Sequence, residues 1–324
     1  MRGLNHEYLC ILRSVYKLSG AKKAFALPED ALRKEIEKQN RHRGVFTPTD
    51  RNAYYETIAV NGFPCLIVRE HPKPSERAIL YFFGGGMVIG PDKGDLPVMR
   101  KLCRETGCDV WFPFYPLCME HCITETYAMV YECYRKMINT VRLAMVVASS
   151  IGADLAMAFL TQTKLPVEHA FFDGGQFAQI GKGTRRIMTP FLYLAIKSLY
   201  WSKGGTLKKI LWCGDDSIKP YFIAAGKNLT YTNLRRQILD SLEDKPFPAL
   251  SEELQKHLYF EFGSIEDHFK YRQAVIEAYP CGNYPVFEGY DHMQYQIRDP
   301  KGFAEMLAHI AERDCMPELP FIRK

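Results

Sequence analysis

The sequence contains no C-x-x-C pair, although ten of its 324 residues are cysteine, at 10, 65, 103, 108, 118, 122, 133, 213, 281 and 315. That absence removes the common redox and zinc-ribbon patterns. The N-terminal stretch M-R-G-L-N-H-E-Y-L-C-I-L-R has no uninterrupted apolar core and no small-residue cleavage site. No signal peptide is therefore expected, and the thiols are expected to be free in a reducing, cytoplasmic setting. The densest cysteine cluster is C-M-E-H-C, Cys118 to Cys122. It lacks further ligands at zinc spacing, so its cysteines read as packing residues near a loop and no metal is expected. No apolar run reaches the roughly 18 residues that span a bilayer. The longest, Ile187 to Trp201, is interrupted by Pro190 and Lys197, so stable membrane insertion is not expected. There is no G-x-G-x-x-G and no G-K-[ST], which argues against a nucleotide cradle. Internal repeats and low-complexity tracts are also lacking. The net charge of +5 comes from basic residues scattered along the chain, a solubility bias rather than a nucleic-acid footprint.

What remains is an α/β chain. Apolar residues make up 47%, enough to build a large core. The length leaves open one large domain with an insertion, or two domains. Residues 1 to about 45 read as helical, with a stop at Gly20 and a new start at Pro28. Two β-rich runs then flank Asn61-Gly62, a strong hairpin signal. From residue 77 short apolar runs alternate with helical segments: 78–83, 109–115, 144–148 and 169–173, with helices over 122–138 and 152–162. The rhythm resumes at 257–263 and 283–289 and ends in a helix over about 300–313. Such alternation predicts a mainly parallel sheet with helices on both faces. Between 176 and 250 the rhythm is lost in a stretch rich in lysine, aromatics and helix formers. It is too long for a plain loop and is expected to be a helical cap. The division is then 1–75 for N-terminal helices and a β-hairpin, 76–175 with 251–324 for the core, and 176–250 for the cap.

Ligands of parallel α/β sheets bind at the carboxyl ends of the strands, so the residues following each strand matter most. After 78–83 comes G-G-G-M-V-I-G, Gly84 to Gly90. Consecutive glycines turn sharply and expose backbone N–H groups, which can hold an oxyanion or simply form a flexible turn. After 144–148 comes A-S-S-I-G, with Ser150 between Ala148 at minus two and Gly152 at plus two. Small residues at both places are what a nucleophilic serine on a strained strand-to-helix turn requires. The Ile151 N–H would stand at a helix start, where it favours negative charge. The competing reading makes Ser149 or Ser150 a helix N-cap. After 257–263 comes S-I-E-D, and after 283–289 comes Y-D-H-M with His292. A histidine there can accept the serine proton, and a carboxylate from the preceding strand end can orient it.

Serine, acid, histidine is the chain order of the α/β-hydrolases, and the sequence resembles that superfamily. Its nearest local likeness is to the hormone-sensitive-lipase-like esterases. Their H-G-G-G-[FW]-x-x-G is similar to F-G-G-G-M-V-I-G, with Phe83 in place of the histidine. Their Y-R-L-A-P-E-H is similar to Tyr115-Pro116-Leu117-Cys118-Met119-Glu120-His121, and their G-D-S-A-G-G to Ala148-Ser149-Ser150-Ile151-Gly152-Ala153. The likeness covers about 77–175 and 255–313, and lies in the order and spacing of motifs, none of which is intact. It implies an α/β-hydrolase fold and a Ser-His-Glu/Asp triad. Ser150 would be the nucleophile and His292 the general base, with Gly85, Gly86 and Ile151 as oxyanion donors. In related hydrolases the acid follows a strand-end glycine by three residues, which points to Glu266, with Asp267 as the adjacent competitor. Phe83 removes a side chain that usually braces the oxyanion loop, so that loop must be held by other means. A cap after Asp173-Gly174-Gly175 is closer to other capped hydrolases than to the esterase group.

The implied activity is hydrolysis of a small-molecule ester, with an apolar acyl group, through an acyl-enzyme and without metal or cofactor. Two alternatives stand beside this esterase or lipase reading: an aminopeptidase- or lactonase-type hydrolase with the same triad, and a non-catalytic binding protein of the same fold. The cap's Phe191, Tyr193, Leu194, Leu199, Tyr200 and Trp201 suit a helix packed on the core, a roof over an acyl pocket, or a lipid-facing surface.

Overall fold

A computed structural model of the chain describes residues 54–84, 95–116, 121, 123–139, 141–163, 167–175, 177, 182–201, 230–232, 234–235 and 247–323. The helices expected over 1–45, Cys118 and Cys122, and most of 176–250 lie outside these residues.

The hairpin comes first. Strand β1 (Tyr54–Val60) pairs antiparallel with β2 (Phe63–Arg69). The two turn residues, Asn61 and Gly62, have φ of 50° and 82°. Two positive φ values suit a two-residue turn whose twist matches that of the strands, and Asn-Gly is the pair that best tolerates them.

The α/β alternation follows: β3 (Arg77–Phe82), α1 (Asp95–Thr106), β4 (Asp109–Pro113), α2 (Ile123–Ile138), β5 (Arg142–Ser149), α3 (Ile151–Thr163) and β6 (His169–Asp173). After α4 (Lys182–Trp201) come α5 (Glu252–Lys256), β7 (Leu258–Gly263), α6 (Arg272–Ala278), β8 (Val286–Phe287), α7 (Gln294–Arg298), α8 (Pro300–Arg313) and β9 (Ile322–Arg323). These strands form one sheet in the order β1-β2-β4-β3-β5-β6-β7-β8-β9. The pairs from β4 through β8 are parallel, and the two strands at the start and the one at the end are antiparallel.

Central strands buried on both faces read as continuous apolar runs. Accordingly β4 and β6 are buried along their whole length, as is β5 apart from Arg142. Helix α8 is one-sided: Phe303, Leu307 and Ile310 recur at helical spacing and are fully buried. Its start is fixed by Pro300 in the first turn and by the Asp299 carboxylate, which accepts the Gly302 N–H at 2.9 Å.

The structure departs from the sequence reading in two places. The strand expected over 283–289 is only Val286–Phe287, with a bridge from Asn283 to Tyr259. Pro285 has no N–H to give the ladder, and Gly289 turns the chain at φ 77°. A further short strand, β9, closes the sheet edge. Helix α4 runs through Pro190, which interrupts the apolar pattern but not the helix. The six described cysteines (65, 103, 108, 133, 281 and 315) are free thiols, and no described helix is long and apolar enough to cross a membrane.

Candidate active site

Strand β5 carries buried residues up to Ser149 and then turns on Ser150, whose φ is 52°. A β-carbon makes that conformation costly by about 1–2 kcal/mol, so the surroundings must impose it. They do so through backbone. The Ser150 N–H donates to the Asp173 carbonyl at 2.8 Å, and the Ala153 N–H donates back to the Ser150 carbonyl at 2.9 Å. Gly152 is required by space, because a Cβ there would meet the carbonyl oxygens of Phe83 and Phe82 at 2.7 and 2.8 Å. Ala148 is fully buried, in register between Phe82 on β3 and Phe172 on β6. A small side chain suits the space that two flanking rings leave.

The two serines are separated by the turn. Ser149 is buried, and its hydroxyl accepts from the Gln296 Nε2 at 3.2 Å, while the Tyr81 hydroxyl donates to Gln296 Oε1 at 3.0 Å. Ser150 instead faces His292, with His292 Nε2 3.0 Å from Ser150 Oγ. The other ring nitrogen, Nδ1, lies 2.8 Å from Glu266 Oε2. Glu266 is buried, and its second oxygen accepts the Gly263 N–H at 3.1 Å. Three residues from three strand ends are thus joined in one hydrogen-bonded chain. Glu266 is the carboxylate that reaches the ring.

Glycines make room for this chain. Gly174, at φ 60°, faces the imidazole so closely that a Cβ would lie 2.6 Å from His292 Nδ1. Gly84 occupies the other side, where a Cβ would meet Met293 Sδ at 2.9 Å and Ser150 Cβ at 3.1 Å. His292 itself sits in a tight turn: its N–H donates to the Asp291 carboxylate at 2.7 Å, and Met293 follows at φ 55°.

Burial pushes the His292 pKa below the usual 6.5, against the opposing charges of Asp173 and Asp291. The imidazole is accordingly neutral at pH 7, the form that can accept a proton. Below it lies a pair of acids that the sequence reading did not single out. Asp173 and Glu261 are register partners on β6 and β7, and both are buried. Burial raises Asp173 to about 6 and carries Glu261 well above the carboxylate range. Two carboxylates so close cannot both ionise, so the pair holds one proton between them. Asp173 ends the run H-A-F-F-D and Glu261 interrupts the run L-Y-F-E-F-G, and that is the signal that could have found them.

His268 was also missed. Its ring packs edge-on to His292 at 4.7 Å, and its Nδ1 is 3.0 Å from the Gly174 carbonyl. Glu266, His268 and His292 each bring a ligand-type atom within 4.8 Å of the others. Glu266 Oε2 and His292 Nδ1 are already hydrogen-bonded to each other, so the cluster reads as the serine-histidine-acid chain rather than a cation site.

Of the expected oxyanion donors, Gly85 and Gly86 lie outside the described residues. Ile151 is the first residue of α3, and N–H groups of a helix's first turn have no partner within the helix. The entrance to the glycine run is held by Tyr115, whose ring stacks on Phe83 at 4.0 Å and whose hydroxyl donates to the Phe83 carbonyl. That is the brace for which Phe83 itself supplies no polar group.

No protein-family model and no curated protein sequence matches the chain. Solved structures do. A hormone-sensitive lipase from a metagenome library is 15% identical with a TM-score of 0.56, covering 94% of this chain and 98% of that one. EstE5, in crystals soaked by p-nitrophenyl butyrate, is 16% identical with a TM-score of 0.54 and coverage of 92% and 96%. Carboxyl esterase 2 of the mycorrhizal fungus Tuber melanosporum is 13% identical with a TM-score of 0.55 and coverage of 84% and 89%. At identities this low the likeness shows the fold alone, that of an α/β-hydrolase.

Proposed function

We propose that this chain is a serine hydrolase of carboxylic esters. The observation that carries the reading is the chain from Ser150 Oγ to His292 (3.0 Å) to Glu266 (2.8 Å), with Ser150 held at φ 52° between strand and helix. In this mechanism Ser150 Oγ attacks the ester carbonyl carbon while His292 Nε2 takes its proton. The tetrahedral oxyanion is met by the Ile151 N–H and by those of Gly85 and Gly86. His292 then gives the proton to the leaving alkoxide, leaving an acyl-enzyme. A water, deprotonated by the same nitrogen, attacks the acyl carbon, and the imidazolium returns that proton to Ser150 Oγ as the acid departs. Glu266 keeps Nδ1 protonated and turned inward throughout, and stabilises the transient imidazolium. No step calls on a metal or an organic cofactor.

Ester hydrolysis is favoured over amide or lactone cleavage because the structurally similar proteins are named as esterases and a lipase. The substrate in this reading is a small ester with an apolar acyl group. The free thiols of the described cysteines fit a reducing, cytoplasmic setting. The test is a panel of p-nitrophenyl esters from acetate to decanoate, beside lactones and aminoacyl amides. Wild type is expected to turn over the short and medium esters, and Ser150→Ala to lose at least about a thousandfold in kcat. Equal rates for both proteins, or preference for an aminoacyl amide, would overturn the reading.

A further inference from the structure

The carboxyl ends of the strands carry the serine-histidine-acid chain. A second cluster lies at the opposite, amino-terminal ends of the strands. His169 is the first residue of β6, and His257 immediately precedes β7. The Ala170 N–H donates to the His257 carbonyl at 3.0 Å, so these strand starts are side by side. Their rings pack edge-on at 5.7 Å. Asp314 ends α8 in the left-handed conformation, at φ 51°, and reaches between them. One carboxylate oxygen is 3.0 Å from His169 Nδ1 and the other 2.7 Å from His257 Nδ1.

Both Nδ1 atoms are buried, and neither makes a well-aligned hydrogen bond. The contacts have hydrogen-bond length without hydrogen-bond geometry. Burying a polar nitrogen this way is costly unless something else satisfies it. Two nitrogens and a carboxylate, all within 4.8 Å of one another, form a converging donor set. The surroundings suit one. The Tyr259 hydroxyl donates to Asp314 Oδ1 at 3.0 Å and fixes the carboxylate. The Glu253 carboxylate lies 3.9 Å from His257 Nε2. Hydroxyls on a ligating carboxylate, and carboxylates near the far nitrogen of a ligating imidazole, are what orient metal ligands.

We propose that His169 Nδ1, His257 Nδ1 and Asp314 bind one zinc-class divalent ion, which ties the end of α8 to the starts of β6 and β7. Imidazole ligands select such an ion over magnesium or calcium. Tetrahedral bonds of about 2.0–2.2 Å separate ligand atoms by about 3.3–3.6 Å, so the present contacts need open by less than about 1 Å. Asp314 is 39% exposed, which leaves the fourth position to water. The strands between this cluster and Ser150 span roughly 15–20 Å. The ion therefore braces the scaffold and takes no part in ester cleavage.

The test uses the full chain freed of metal by a chelator, titrated with Zn2+ against a chromophoric competitor. Asp314→Asn is nearly isosteric and suits the left-handed position, and His257→Gln changes a half-exposed ring. Each is expected to lose one equivalent of tight sites, with affinity for that equivalent down at least thirtyfold. One equivalent of Zn2+ is expected to raise the melting temperature of wild type and not of either variant, and Mg2+ to do neither. Co2+ should give the weak visible bands of a nitrogen and oxygen site without thiolate charge-transfer absorption, which separates it from binding by cysteines. Unchanged stoichiometry and affinity in both variants, or cobalt bands of thiolate origin only, would overturn the proposal. If Asp314→Asn fails to fold, His257→Gln decides it alone.

Discussion

A methyl group added at Gly174 is the most informative small perturbation of the serine-histidine-acid chain. The new Cβ would lie 2.6 Å from His292 Nδ1, 2.8 Å from Cε1 and 3.1 Å from Glu266 Oε2. Ordinary contact begins at about 3.4–3.5 Å, so the imidazole must retreat by about 0.8 Å. Its 3.0 Å contact with Ser150 Oγ then stretches out of hydrogen-bond range. Misplacing a reacting group by about 1 Å costs about a hundredfold in rate, or about 2.7 kcal/mol of transition-state stabilisation. Gly174→Ala also bears the left-handed backbone strain of about 1–2 kcal/mol, which must be separated from the effect on the site. Gly62→Ala supplies the control. Gly62 has φ 82°, and a Cβ there meets nothing within 4 Å. It should show similar strain and unchanged turnover. The assay is kcat/KM on a short-chain p-nitrophenyl ester together with a thermal melt. We expect Gly174→Ala to fall about a hundredfold and Gly62→Ala to stay within about twofold of wild type. Equal activity in the two variants, both folded, would refute the steric account of how His292 is held.

Glu266→Gln removes the charge that steadies the ring and should lower kcat by about 10²- to 10⁴-fold with KM little changed; a loss confined to KM would contradict its role. His292 must be neutral to accept a proton, and burial holds its pKa down. The acid limb of kcat/KM should therefore have its midpoint below 6.5, and a midpoint above 7 would contradict this. Asp154 is buried in α3, with the Phe177 N–H on one oxygen at 3.3 Å and no hydrogen bond on the other. Burial raises its pKa from 3.8 to about 7. A raised acid binds a proton in the folded state that the unfolded chain releases, so stability is full below pH 3.8 and falls as pH rises to about 7. Asp154→Asn removes that loss. Its stability gain in urea melts should be larger at pH 8 than at pH 5 by about 2–3 kcal/mol, and an equal gain at both would refute the burial argument.

Much of this was legible because local chemistry and the fold agreed. Strand β6 and helix α8 match the sequence reading to the residue, since apolar runs and a proline start leave little freedom. The serine and histidine could be picked out because each follows a strand and the parallel sheet brings those ends together, while the choice of Glu266 over Asp267 came from the resemblance to related hydrolases. What escaped depended on register or on contacts distant in sequence. The acid pair exists only because Asp173 faces Glu261 across two strands, and the Tyr115 brace only because residue 115 stacks on residue 83. The strand expected at 283–289 shrank because apolar alternation says nothing about the N–H that Pro285 lacks.

The most direct test of the central claim is labelling with an active-site fluorophosphonate, read by mass spectrometry of the intact chain and its peptides. The account predicts one adduct, on Ser150, absent from Ser150→Ala and strongly slowed in Glu266→Gln. An adduct on another residue, or equal labelling of wild type and Ser150→Ala, would contradict it.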